Sequence, residues 1–157
     1  MNKTIVVLIV VVFAVPYLCA ANPQDLTKPI HQFIDGFNKG DTKSASAAYV
    51  SGDVVIVDEF PPHLWMGPHA VQDWASDFDK LGKAENDSDA SVKYGAPTRT
   101  EVKDGVAYVV IPTVFNFRKS GQAMTEKGQM TFVLHQESGA WKIASWTWTG
   151  EAAHAVK

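Results

Sequence analysis

Apolar residues recur at Ile30, Phe33, Ile34 and Phe37, the i, i+3, i+4, i+7 spacing of one helical face. The pattern predicts a helix over roughly 26–38. Asn38-Lys39-Gly40-Asp41 then reads as a stop, with Gly40 past the last turn and Asp41 free to cap a second, short helix over 42–49 carrying Ala45, Ala48 and Tyr49. The unbroken apolar run Val54–Val57 reads as a buried strand that ends in a carboxylate, Asp58. Glu59-Phe60-Pro61-Pro62-His63 breaks it, because neither proline can donate to a ladder. Met66-Gly67-Pro68-His69 leads into a third helix whose face is Val71, Trp74, Phe78 and Leu81, ended by Gly82 and followed by a polar loop over 83–91.

Beyond that loop the period falls to two. Strands are predicted over 92–102 and 106–119, joined at Lys103-Asp104-Gly105, where Asp-Gly is a strong hairpin signal. Gly121 marks another turn, and strands over 128–136 and 140–149 meet at Glu137-Ser138-Gly139. Helices first and antiparallel hairpins later define an α+β chain, with helices on one face of a sheet.

A length of 157 residues suits one domain, and 46% apolar residues can fill its core. The formal charge of −3, with no basic run, argues against a nucleic-acid or anionic-membrane partner. The first 21 residues read as a targeting segment: a short basic start at Lys3, the apolar stretch Ile5–Val15, and small residues before a cut near Ala20-Ala21. A secreted or periplasmic protein over 22–157 is the expectation, with no membrane segment in its mature form. Cys19 is the lone cysteine, and Pro16-Tyr17-Leu18 before it lacks the small residues of a lipid-attachment signal. The chain therefore relies on its core rather than on disulfides.

Four stretches together point further: Phe33 to Asp41; Gly67-Pro68-His69-Ala70-Val71, opening the third helix; Ser138 to Ile143; and Trp148-Thr149-Gly150. In this order and spacing they resemble the nuclear-transport-factor-2-like superfamily, in particular its ketosteroid-isomerase-like and polyketide-cyclase-like (SnoaL-like) members, over about residues 28–150. The resemblance implies a cone-shaped, curved antiparallel sheet packed against three N-terminal helices. It also implies a pocket for a hydrophobic or aromatic small molecule. Asp58 falls where the general base of those isomerases stands. Their oxyanion-binding Tyr falls on Phe33, which has no hydroxyl, and their oxyanion-binding Asp falls on or near Thr131, so steroid isomerisation itself is disfavoured.

By the same resemblance, Thr113 and Phe115 face the pocket together with Ile111 and Phe117, joined by Thr131 and Val133 and then by Ser145, Thr147 and Thr149. Trp74 and Phe78 close one wall, and Trp65 stands at the mouth. Trp146 and Trp148 then fall on the convex side, as the apolar patch of a homodimer. Proton-transfer chemistry at Asp58 and a non-catalytic binding or dimerisation domain both remain open. His63, His69, Asp58 and Glu59 match no metal-ligand spacing, and no Ser-His-Asp or phosphate-loop signature occurs, so neither metal nor cofactor is expected.

Overall fold

A computed structural model describes residues 23–157; the expected targeting segment, 1–21, lies outside them. Three helices precede most of the sheet: α1 (Pro23–Lys39), α2 (Thr42–Ser46) and, after the hairpin β1 (Val54–Val57) and β2 (Leu64–Gly67), α3 (Ala70–Glu85). The long strands follow: β3 (Asp87–Tyr94), β4 (Arg99–Lys103), β5 (Val106–Lys119), β6 (Gln122–Glu137) and β7 (Ala140–Gly150), with a short β8 (His154–Ala155). The sheet order is β2-β1-β7-β6-β5-β3, with β4 beside β5 and β8 beside β6. All pairs are antiparallel except β1 with β7, which run parallel.

The expected face of α1 is the one it buries. Ile30 and Ile34 are wholly enclosed, and Phe33 is nearly so, against β7 and β3. Asp41 caps α2 by accepting the Ser44 backbone N–H at 2.9 Å. The two helices meet at Gly36, where a Cβ would stand 2.8 Å from the Ala45 backbone nitrogen, so only glycine allows this approach.

Several boundaries differ from the sequence reading: α2 stops at Ser46, β3 begins at Asp87 within the loop expected over 83–91, and β6 begins at Gln122 rather than 128. Strand β2 stands where the sequence predicts only the approach to the third helix; it is four residues long, too short to show a period, and only Trp65 of them is buried. Helix α3 runs through Gly82 to Glu85, and the left-handed Asn86 closes it by donating its N–H to the Gly82 carbonyl. The single strand expected over 92–102 is two strands on the same edge of β5, separated at Gly95-Ala96-Pro97, where proline cannot continue a ladder.

The largest correction concerns which side chains face the helices. Ser120 and Gly121 form a two-residue turn, both with positive φ, so Lys119 pairs with Gln122 and Ile111 with Met130. Thr131 pairs with Val110, on the outer face. One strand further, Val133 pairs with Ser145 but Leu134 with Ile143, so Ala144 is a bulge. The bulge reverses the alternation of β7: Trp141 and Ile143 point inward before it, and Trp146 and Trp148 after it. Ser145, Thr147 and Thr149 therefore share the outer face with Thr131 and Val133. Trp146 is 3% exposed and donates its indole N–H to the Tyr49 hydroxyl at 2.9 Å. It belongs to the core, not to a convex dimer patch.

Candidate functional site

Asp58 stands immediately after β1, where the chain leaves the ladder. Its own N–H donates to the His63 carbonyl at 3.2 Å and fixes the loop that joins β1 to β2. Because residue 58 is no longer in the strand, Asp58 and Glu59 both reach the concave side, whereas strand alternation admitted only one of them.

The Asp58 carboxylate is half-buried and holds two donors. Trp74 on α3 donates its indole N–H to Oδ2 at 2.8 Å, and the Glu59 backbone N–H donates to Oδ1 at 2.8 Å. Burial raises the Asp58 pKa from 3.8 to about 6, and the two donors hold it from rising further. A carboxyl with that value is largely ionised near neutral pH and basic enough to accept a proton.

Around it lies a wall of rings. Phe33 packs on Trp74 and Trp146, Phe37 on Trp74 and Phe78, and Phe78 on Phe115, with centroids 5.2–6.2 Å apart across this group. Together with Ile34, Phe60, Val92, Met130 and Trp148, and with Asp58 and Glu59, they line a pocket of about 60 Å³. That is less than the ~150 Å³ that receives a benzene molecule. An open groove of about 590 Å³ between α1, α2 and α3 lies behind the same Phe33, Phe37, Trp74 and Phe78.

Of the residues singled out from sequence, the fold brings Asp58, Phe33, Trp74, Phe78 and Phe115 to one cavity. Trp65 is displaced from the mouth: it is buried behind Phe60, at 5.0 Å between rings, and its N–H donates to Asp77 Oδ2 at 3.1 Å. Thr113 is on the concave face but not in the cavity wall, while Thr131, Ser145 and Thr147 are on the outer face. Trp146, Trp148, Met130, Phe60 and Glu59 were missed. The parity of the Ser120-Gly121 turn would have found Met130; the bulge that turns both tryptophans inward leaves no local signal.

Glu126 was also missed. It lies on β6 opposite Phe115 and is 7% exposed. Burial first, then a hydrogen bond with the Glu59 side chain and the charges of Glu59 and Asp58, push its pKa well above the carboxylate range. Among the described residues no group of three or more His, Cys, Asp or Glu side chains is arranged to hold a metal ion.

The described residues form an α+β cone with an aromatic pocket on its concave side, and several solved structures share this architecture. An NTF2-like superfamily protein from Salmonella enterica serovar Typhimurium matches with a TM-score of 0.67 at 18% identity, covering 82% of this chain and 90% of that one. A ketosteroid isomerase-like protein from Erwinia carotovora matches at 0.65 and 16%, covering 85% and 98%. A type 2 hexachlorocyclohexane dehydrochlorinase matches at 0.68 and 13%, covering 85% and 86%. No family model matches the chain, and no curated protein matches it by sequence. The chain has the NTF2-like fold; identities this low speak for architecture alone.

Proposed function

We propose that the chain is a binding domain for a small hydrophobic or aromatic molecule, with proton-transfer chemistry of the isomerase, lyase or cyclase kind at Asp58 as general base. The observation that carries this reading is a half-buried carboxylate, its pKa raised to about 6, set in a mainly aromatic and apolar cavity and oriented by Trp74. That a dehydrochlorinase and a ketosteroid isomerase-like protein share the fold supports it. The cavity is tight, so a ring enters when the partly exposed Phe37 or Phe78 turns aside toward the helical groove behind them.

The test is deuterium exchange at carbon in 2-cyclohexen-1-one, a small uncharged enone, followed by NMR in D₂O. The folded protein accelerates exchange, the rate rises with pH through an inflection near 6, and Asp58→Asn binds without exchange. Equal exchange by Asp58→Asn removes Asp58 from the base's role. A second reading, a non-catalytic binder, is favoured by Phe33: its ring packs between Tyr49, Trp74 and Trp146 and offers no hydroxyl beside Asp58. Binding of the enone with no exchange by the unmodified protein selects that reading.

Two further expectations belong to this proposal. Homodimerisation would use the outer sheet face, where Val57, Leu64 and Met66 are exposed; Leu64→Arg then halves the molar mass by light scattering, and an unchanged mass rejects the face. Export by the segment 1–21 would give a product whose mass begins near Ala20-Ala21; an uncut chain rejects it.

A further inference from the structure

The charge of the cavity beside Asp58 is one-sided. Asp58 and Glu59 are the only charged side chains among the residues that line it, and both are acidic. Among the described residues neither is paired with a cation: the ion pairs of Lys80, Lys83, Arg99, Arg118, Lys119 and His154 all use other carboxylates. His63, in the same loop, brings its ring Nδ1 within 3.2 Å of the Asp58 backbone carbonyl oxygen rather than of the carboxylate. Each Asp58 oxygen accepts one N–H, Oδ2 from Trp74 and Oδ1 from Glu59, and a carboxylate oxygen has room for about two.

Glu126, buried on β6, meets the Glu59 side chain and brings a third carboxyl to this corner. The charges of Asp58 and Glu59 act on Glu126, and that of Glu59 acts on Asp58, in each case favouring the neutral acid. The corner therefore carries a negative field that no lysine or arginine of the chain balances. The remaining wall adds to the same preference. Phe33 and Trp74 stand at 65° to each other, Trp74 and Trp146 at 89°, Phe37 and Phe78 at 69°, and Phe78 and Phe115 at 66°. Rings set at such angles make the corners of a cage rather than a single stack, and the electron-rich face of a ring attracts a cation.

We propose that the ligand of this cavity is an organic cation: an ammonium group that pairs with Asp58 and Glu59, carried on a small alkyl or aryl group that the rings enclose. This deepens the reading of the cavity as a small-molecule site and rests on it. The alternatives fit less well. An anion meets two carboxylates and no partner. A neutral molecule gains from the ring wall alone and leaves the carboxylate field unused. A metal ion lacks its ligands, since no three metal-binding side chains converge among the described residues.

The test compares benzylammonium with benzyl alcohol, a neutral molecule of the same size, and with benzoate. Binding is followed through the Trp74 indole N–H resonance, which Trp74→Phe identifies. At about pH 7.5 benzylammonium binds roughly tenfold more tightly than benzyl alcohol, and benzoate binds more weakly than either. A cation favours the ionised carboxylate, so its affinity rises with pH through the Asp58 titration near 6 and levels off above it. By reciprocity its presence moves that titration downward, which carboxyl NMR reads. Protonation of His63 would weaken the cation in the same direction, and the Asp58 carboxyl resonance separates the two. Glu59, Glu126 and the buried Tyr49 hydroxyl share the field of Asp58. Asp58→Asn and Glu59→Gln each cut the preference for the cation by about threefold or more and leave benzyl alcohol unaffected. Glu59 is exposed, so its variant stands in if Asp58→Asn does not fold. Equal affinity for benzylammonium and benzyl alcohol, or an Asp58 midpoint that the cation does not lower, overturns the cation preference and leaves the cavity as a small-molecule site. If none of the three probes moves the Trp74 resonance, the small-molecule reading itself falls, and this inference with it.

Discussion

Replacing Asp58 by asparagine should alter how stability depends on pH, by an amount the site geometry sets. A carboxyl with a folded pKa of about 6 and an ordinary value of 3.8 is neutral in both states at low pH, where burial costs nothing. As pH rises between those values the unfolded chain releases the proton first. Folding then becomes less favourable, and above pH 6 the full difference, about 3 kcal/mol at 1.36 kcal/mol per pKa unit, is lost. Asparagine has no such titration. It does lose one of two hydrogen bonds, because its amide group must face either the Trp74 N–H or the Glu59 N–H; this is a pH-independent cost of about 1–3 kcal/mol. The informative quantity is therefore the change with pH of the difference between the two proteins. Urea unfolding followed by tryptophan fluorescence should show the variant gaining about 2 kcal/mol on the unmodified chain between pH 4.5 and 7.5. Parallel stability curves over that range would show that Asp58 is solvated like an ordinary surface carboxylate, and the case for a tuned base would go with it.

The remaining expectations concern neighbours of the site. Trp74→Phe removes a donor that favours the charged carboxylate, so the Asp58 titration, read by carboxyl NMR, should move above 6; a midpoint at or below 6 contradicts the role given to the indole. Trp146→Glu places an unpaired charge in the core and should cost about 3–5 kcal/mol, seen as lost cooperative unfolding; a well-folded variant altered only in molar mass would restore the convex-patch reading. Gly36→Ala should cost about 1–3 kcal/mol in urea unfolding by forcing α1 from α2, and a neutral result means the two helices part freely.

The three helices and the later hairpins were legible because each is written locally, whereas the β1–β2 hairpin was not. The Ile30-Phe33-Ile34-Phe37 stripe, the Asp41 cap and the Asp104-Gly105 turn need no tertiary information, and each occurs where the chain indicates. Asp58 was legible as the end of a short apolar run, and its position by resemblance. The orientation of the last two strands was not. For β6 the information was present in Ser120-Gly121, a turn whose length sets the parity of every pair after it. For β7 it was not local: Ala144 is an ordinary alanine between Ile143 and Ser145, and its bulge sets Trp146 against Phe33 and Trp74 of the helices and Trp148 against Phe115 of β5. The aromatic part of the expected pocket forms, while the few hydroxyls expected in it from Thr131, Ser145 and Thr147 lie on the outer face.

That alanine also makes the chemistry of the cavity a matter of counting. With Ala144 deleted, the ladder of β7 closes in simple alternation, and every residue from 145 onward changes sides. The two tryptophans would move to the outer sheet and two threonines and a serine would line the interior, in a protein of unaltered composition otherwise. Such a variant should trade its aromatic interior for a sticky exterior, visible as strong binding of a hydrophobic dye and loss of solubility; a soluble variant with unchanged tryptophan fluorescence would show that the bulge is not what holds the parity. A one-residue length change, more than any single substitution, is the mutation to which this fold is most exposed.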